Sequence, residues 1–167
     1  MKHTTYLILL CFTFLFGCGP YSFTGVQNLK AETFQVNYFQ NTADLIEPGF
    51  DRDFKLALED LILNQTNLTL TTTNGELIYE GEIVEYRISP TTAQANSTAA
   101  ENRLSVTVNL RFFDTTDPEA EDFEKRFSHF VDYPGSQLLQ GAQKDAVHEQ
   151  IFERITQDIF NATLAKW

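Results

Sequence analysis

The chain has 167 residues, with 12 Lys and Arg against 23 Asp and Glu, a formal charge of −11 at pH 7. A surface this acidic repels phosphodiester backbones and anionic headgroups, which excludes a general electrostatic attraction to nucleic acid or to a lipid surface. The length suits one domain with a true core and hardly two.

The first element is a targeting segment. Residues 6–16 are apolar or aromatic apart from Thr13, and they follow a single lysine, Lys2. Eleven such residues are too few for a bilayer, which takes about 20 helical residues. A basic start, a short apolar run and a small residue before the boundary predict a secretory signal over residues 1–17. At its end, Leu15-Phe16-Gly17-Cys18 resembles the bacterial lipobox, in which the cysteine thiol is diacylglycerylated and the chain is cut before it. Cys18 supplies the thiolate nucleophile and Gly17 the small neighbour. Cys11 leaves with the signal, so Cys18 would otherwise remain as a lone oxidisable thiol in an exported chain. Removal of residues 1–17 takes one lysine and no acid, leaving 11 basic against 23 acidic side chains and a charge of −12. Residues 18–31 are expected to form a lipidated tether, and 32–167 a single domain.

Within that domain Phe34, Val36 and Tyr38 alternate with polar residues, predicting a half-buried strand over 32–39. A turn-rich stretch follows. From Phe50 the period lengthens: Phe50, Phe54, Ala57, Leu58, Leu61 and Ile62 share one helical face, with Pro48 suited to the first turn. Residues 68–73 predict a second strand that ends at Asn74-Gly75, a strong hairpin signal. The third strand, 76–89, shifts its apolar phase from Leu77 and Tyr79 to Val84, Tyr86 and Ile88, and a bulge at Gly81 accounts for the shift. Pro90 ends it. The small polar residues TTAQANSTAAEN then form a long loop, of a kind that is often functional in compact domains.

The fourth strand, 102–113, has the cleanest alternation. Leu104, Val106, Val108, Leu110 and Phe112 point one way, and Arg103, Ser105, Thr107, Asn109 and Arg111 the other. An acidic turn over 114–122 leads to a fifth strand, 123–133. Residues 141–166 read as a long helix with Val147, Ile151, Ile155, Ile159 and Ala162 in one stripe. The order β-α-β-β-β-β-α predicts an α+β two-layer sandwich, a mostly antiparallel sheet with both helices on one face and the other face polar. If the last two strands form a hairpin, core-on-core alternation at a residue-number sum of 235 pairs Phe112 with Phe123, Val108 with Phe127 and Leu104 with Val131. The same register sets Arg111 opposite Glu124, Arg103 opposite Asp132, Arg126 opposite Asn109 and Lys125 opposite Leu110.

Reaction chemistry finds little support. His129 falls on the fifth strand and His148 on the last helix, with no Ser/His/Asp or Cys/His set and no metal-ligand spacing beside them. Neither a cofactor nor a metal is expected. Glu119, Glu121, Asp122 and Glu124 read as a solvated acidic hairpin tip in preference to a cation site. Arg87, Arg103, Arg111, Lys125 and Arg126 in the middle strands either pair with acids across strands or form a phosphate-binding patch.

The residues 17–25 (GCGPYSFTG), Gln65-Thr-Asn-Leu-Thr-Leu70, Glu80-Gly-Glu-Ile-Val-Glu-Tyr86, Asn102-Arg-Leu104, the segment 123–133, and Asp158-Ile-Phe-Asn161 with a final Trp167 run collinearly. Together they resemble the lipopolysaccharide-assembly lipoprotein family LptE, in a divergent branch that ends in a similar Asn-x-x-x-x-x-Trp tail. The resemblance implies a two-layer α/β sandwich and no enzymatic activity. It implies a place inside the LptD β-barrel of the outer membrane as plug and assembly partner, with lipopolysaccharide as cargo and a ligand for basic residues on the sheet. Gly19 after the cysteine implies outer-membrane sorting. Among the arginines, Arg126 is the first candidate for phosphate contact because the register leaves it without an acid, followed by Arg87, Arg103 and Arg111. The rival expectation is a periplasm-facing auxiliary lipoprotein of a lipid-transport ABC system.

Overall fold

The computed structural model describes residues 29–91, 101–119, 123–135 and 139–165. Strand β1 (Thr33–Asn41) is followed by helix α1 (Phe50–Gln65), strands β2 (Thr69–Leu70), β3 (Leu77–Pro90), β4 (Glu101–Asp114) and β5 (Phe123–Pro134), and helix α2 (Gly141–Thr163). The five strands form one sheet in the order β2-β1-β3-β4-β5, with both helices against one face. This is the expected α+β sandwich, but the sheet is mixed: β1 pairs in parallel with β2 and with β3, while β3-β4 and β4-β5 are antiparallel.

The parallel half overturns the hairpin expected at Asn74-Gly75. A local turn does form, with Asn74 at φ 56°, but it carries the chain over β1 instead of between neighbours. The crossing is close: a Cβ at Gly75 would lie 2.6 Å from Cβ of Gln35 and 2.8 Å from its backbone nitrogen. Glu76 then closes over the start of β1, its carboxylate accepting from the backbone amides of Glu32 (2.6 Å) and Thr33 (3.0 Å). Asn74-Gly75 marks a change of chain direction in both readings; which strands it joins depends on where β1 lies.

Two bulges also differ from expectation. In β3 the inward phase of Leu77, Tyr79, Gly81 and Ile83 passes to Tyr86, so the extra residue is Val84, three positions after Gly81. Gly81 stays in register opposite Leu110, and its role is clearance: a Cβ there would meet the Asn109 carbonyl oxygen at 2.2 Å and the Phe39 ring at 3.0 Å. In β1 the pairing shifts between Val36 and Phe39, so Phe39 turns inward and Tyr38, expected inside, is 64% exposed and hydrogen-bonds Asp51. Of the helices, α1 starts after Gly49 (φ 83°), one residue beyond Pro48, with Asp51 and Asp53 complementing its N-terminal dipole. Helix α2 ends at Thr163, three residues short of expectation.

The core between the layers absorbs the aromatic content. Phe39 meets Phe54 edge-on at 5.1 Å, Phe50 lies 4.8 Å from Phe152, and Tyr79 4.9 Å from Phe112. Among the described residues eleven are phenylalanine, and Phe130 alone is exposed. Among the described residues two buried polar ties cross the layers: Tyr79 to Thr163 at 3.1 Å and Tyr86 to Nε2 of His148 at 2.9 Å.

Burial holds the His148 pKa below its ordinary value, with Lys144 acting in the same direction and Glu47, Asp145 and Asp53 opposing. The unfolded chain therefore binds this proton first, near its ordinary pKa of about 6.5. The associated stability is complete above that pH and is lost as pH falls below it. A melting temperature that declines from pH 7 to pH 5, with a shallower slope in His148→Gln, is the expected result. Equal slopes in the two proteins would show that other groups carry the acid dependence.

Candidate functional site

The outer face of the sheet, away from the helices, is built by the residues that alternate with the core positions. All twelve β4–β5 pairs follow the sum of 235. Phe112 opposes Phe123, Arg103 opposes Asp132, and Arg126 opposes Asn109. Arg103 holds Asp132 through two bonds of 2.7 and 2.9 Å, which lowers the Asp132 pKa, and its guanidinium lies 3.7 Å from the centre of the Phe130 ring. Thr107 donates to Glu85 at 2.8 Å and lies 3.0 Å from Ser128 Oγ. Arg87 also binds Glu85, at 2.8 Å, and Thr107 followed by Arg87 lowers that carboxylate's pKa.

Arg111 departs from the expected pairing. Register does set it opposite Glu124, but it also stands opposite Glu80 on β3, and its ion pair is with Glu80 at 3.2 Å. Glu124 accepts instead from the Asn109 amide at 2.8 Å, and Asn37 donates to Glu80 at 3.2 Å. A central strand offers each side chain two lateral neighbours, and a hairpin register describes only one. Of the four outer-face arginines, Arg87, Arg103 and Arg111 are paired; Arg126 has no partner among the described residues. It lies by a cleft of about 430 Å³ at the β5 edge, lined by Lys125, Ser128, Asp158 and Asn161 among others. The Lys125 ammonium stands 5.3 Å from the Phe127 ring, as the packed stem of a lysine at a sheet edge should.

Charge is divided between the layers. The outer face carries Glu80, Glu82, Glu85, Glu101, Glu124 and Asp132 against four arginines, a balance of −2. The two helices carry eight acids against four bases. This division follows from which strand residues face outward and was not read from the sequence. Among the described residues no group of three or more His, Cys, Asp or Glu could hold a metal, and no helix is long and apolar enough to cross a membrane. Glu121, Asp122, Cys18 and residues 92–100 of the long loop lie outside the described residues, while Glu119 is exposed.

The model of one family, LptE, described as lipopolysaccharide-assembly, matches residues 31–163. The chain belongs to the LptE family. No curated protein is significantly similar to it in sequence. Among solved structures, this LptE chain is similar to protein XCC0632 from Xanthomonas campestris, with 10% identity, 79% of this chain and 83% of that one covered, and a TM-score of 0.53. The hypothetical protein CT253 from Chlamydia trachomatis gives 12% identity, 81% and 99% coverage and a TM-score of 0.50. A minor lipoprotein from Acinetobacter baumannii gives 14% identity, 82% and 95% coverage and a TM-score of 0.49. At these identities the likeness concerns the fold, and the family assignment rests on the sequence match over 31–163.

Proposed function

We propose that this LptE-family protein is an outer-membrane lipoprotein that partners and plugs an LptD-type β-barrel and assists the delivery of lipopolysaccharide to the outer leaflet. Its anchor is acyl on Cys18. The observation that carries the reading, beyond family membership, is the outer face of the sheet: polar, with three of its four arginines tied to acids. Those ties lower the cost of covering this face with a protein wall. The role assigned is structural. Arg126 is the first candidate for a lipopolysaccharide phosphate, because the other three outer-face arginines are already neutralised by acids.

Affinity purification of the tagged protein from membranes tests the partner. Recovery of a large outer-membrane barrel is expected, and depletion should lower the level of folded barrel and raise sensitivity to large hydrophobic antibiotics. Recovery of inner-membrane permease components with an intact permeability barrier would replace this reading with an auxiliary subunit of a lipid-transport ABC system. For the ligand, a photo-crosslinker at Arg126 should capture lipopolysaccharide and one at Arg111 should not; equal capture at the two positions would remove the reason for singling out Arg126.

A further inference from the structure

Phe130 is the exception among the phenylalanines: every other one among the described residues is buried or half-buried, and this one is 49% exposed on the outer face of β5. It is also held in place. The Arg103 guanidinium lies over its ring, 3.7 Å from the centre, and Arg103 is itself fixed by both carboxylate oxygens of Asp132, at 2.7 and 2.9 Å. A guanidinium carried this way loses little further freedom on contact, and its charge is already balanced. Aromatic and arginine side chains that are rigid before contact are the types that dominate binding energy at protein interfaces, where they fill pockets from which water is expelled.

We propose that Phe130, with Arg103 laid on its ring and Asp132 holding Arg103, is the anchor through which the outer sheet face seats against the inner wall of the barrel. This rests on the partnership stated above and names the residues that carry it. The occupant is a protein wall on grounds of charge. The polar groups beside the ring are tied to one another, Arg103 to Asp132 and Thr107 to Ser128 and Glu85, which lowers the cost of desolvating them, while the larger acid surplus lies on the helical layer and favours water. A phosphate-bearing ligand would be repelled at this spot by Asp132, which occupies the guanidinium edge that such a ligand would need.

The test compares full-length wild type, Phe130→Thr and Arg103→Lys in barrel recovery from solubilised outer membranes, with melting temperatures measured alongside. Threonine, like phenylalanine, favours a strand, so Phe130→Thr should fold normally yet recover the barrel about tenfold less, the loss of one interface anchor. Arg103→Lys, which keeps the charge and loses the fork, should give an intermediate loss. A photo-crosslinker at Phe130 in otherwise unaltered protein should join the barrel, and one at Glu149 on the helical layer should not. Wild-type recovery of the barrel with no change in Phe130→Thr would overturn the anchor and leave the partnership standing. A crosslink from Phe130 only to lipid or to a second copy of this chain would likewise overturn it. Failure of wild type to recover any barrel would remove the partnership itself.

Discussion

Replacement of Cys18 by serine is expected to move the protein from the membrane pellet to the soluble fraction, with the signal uncut or the chain unacylated. Serine keeps the size of the side chain and removes the thiolate that would accept the diacylglyceryl group. Each buried CH₂ of an acyl chain contributes about 0.8 kcal/mol, and lasting attachment takes more than one chain, so losing the acyl groups abolishes retention instead of weakening it. No other feature of the described residues replaces the anchor: no helix is long and apolar enough to cross a bilayer, and the charge of −11 opposes binding to anionic lipid. Labelled palmitate and fractionation check this. Normal retention of Cys18→Ser with no incorporated palmitate would sink the lipoprotein reading, including the membrane to which the barrel partnership assigns it.

The largest effect on stability is expected from a single methyl group. In Gly81→Ala the new Cβ would lie 2.2 Å from the Asn109 carbonyl oxygen of the adjacent strand and 3.0 Å from the Phe39 ring. The first contact is with backbone in the middle of the β3–β4 ladder, so no rotamer change relieves it; the strands must part or Phe39 must leave its place against Phe54. A loss of about 3 kcal/mol follows, which lowers the melting temperature by roughly 10 °C for a domain of this size. Ser105→Ala, on the outer face of the same strand pair, should stay within about 0.5 kcal/mol. Thermal unfolding of the two variants beside wild type checks the pair. A Gly81→Ala protein as stable as Ser105→Ala would mean that the strands separate more easily than their packing implies.

The candidate face was partly legible before any coordinates. The β4 alternation from Leu104 to Phe112 sorted its residues into two faces, core-on-core matching with β5 required an odd residue-number sum, and the choice of 235 put Arg103 opposite Asp132 and Arg126 opposite Asn109, as the sheet has them. The Arg111 partner could not, because Glu80 reaches it from the other side and hairpin reasoning does not include β3. Nor could the exposure of Phe130. A phenylalanine among polar residues on a strand looks like any other aromatic until the opposite face is shown to be full.

The sequence by itself determined the element types and their order, the inward residues of β4 and β5, and the family, because these depend on periods of two and 3.6 and on local turn chemistry carried by neighbouring residues. Tertiary structure decided that β1 lies between β2 and β3, which made half of the sheet pairings parallel and turned Asn74-Gly75 from a hairpin into a crossing. It also decided that Gly81 serves the Phe39 ring while the bulge belongs to Val84, and that the surplus acid collects on the helices. The physical reason is common to all three. Parallel pairing, ring clearance and the division of charge between layers are set by residues distant in the chain, 40 to 43 positions apart in Gln35 with Gly75, Phe39 with Gly81 and Phe34 with Leu77, and no local period records such contacts.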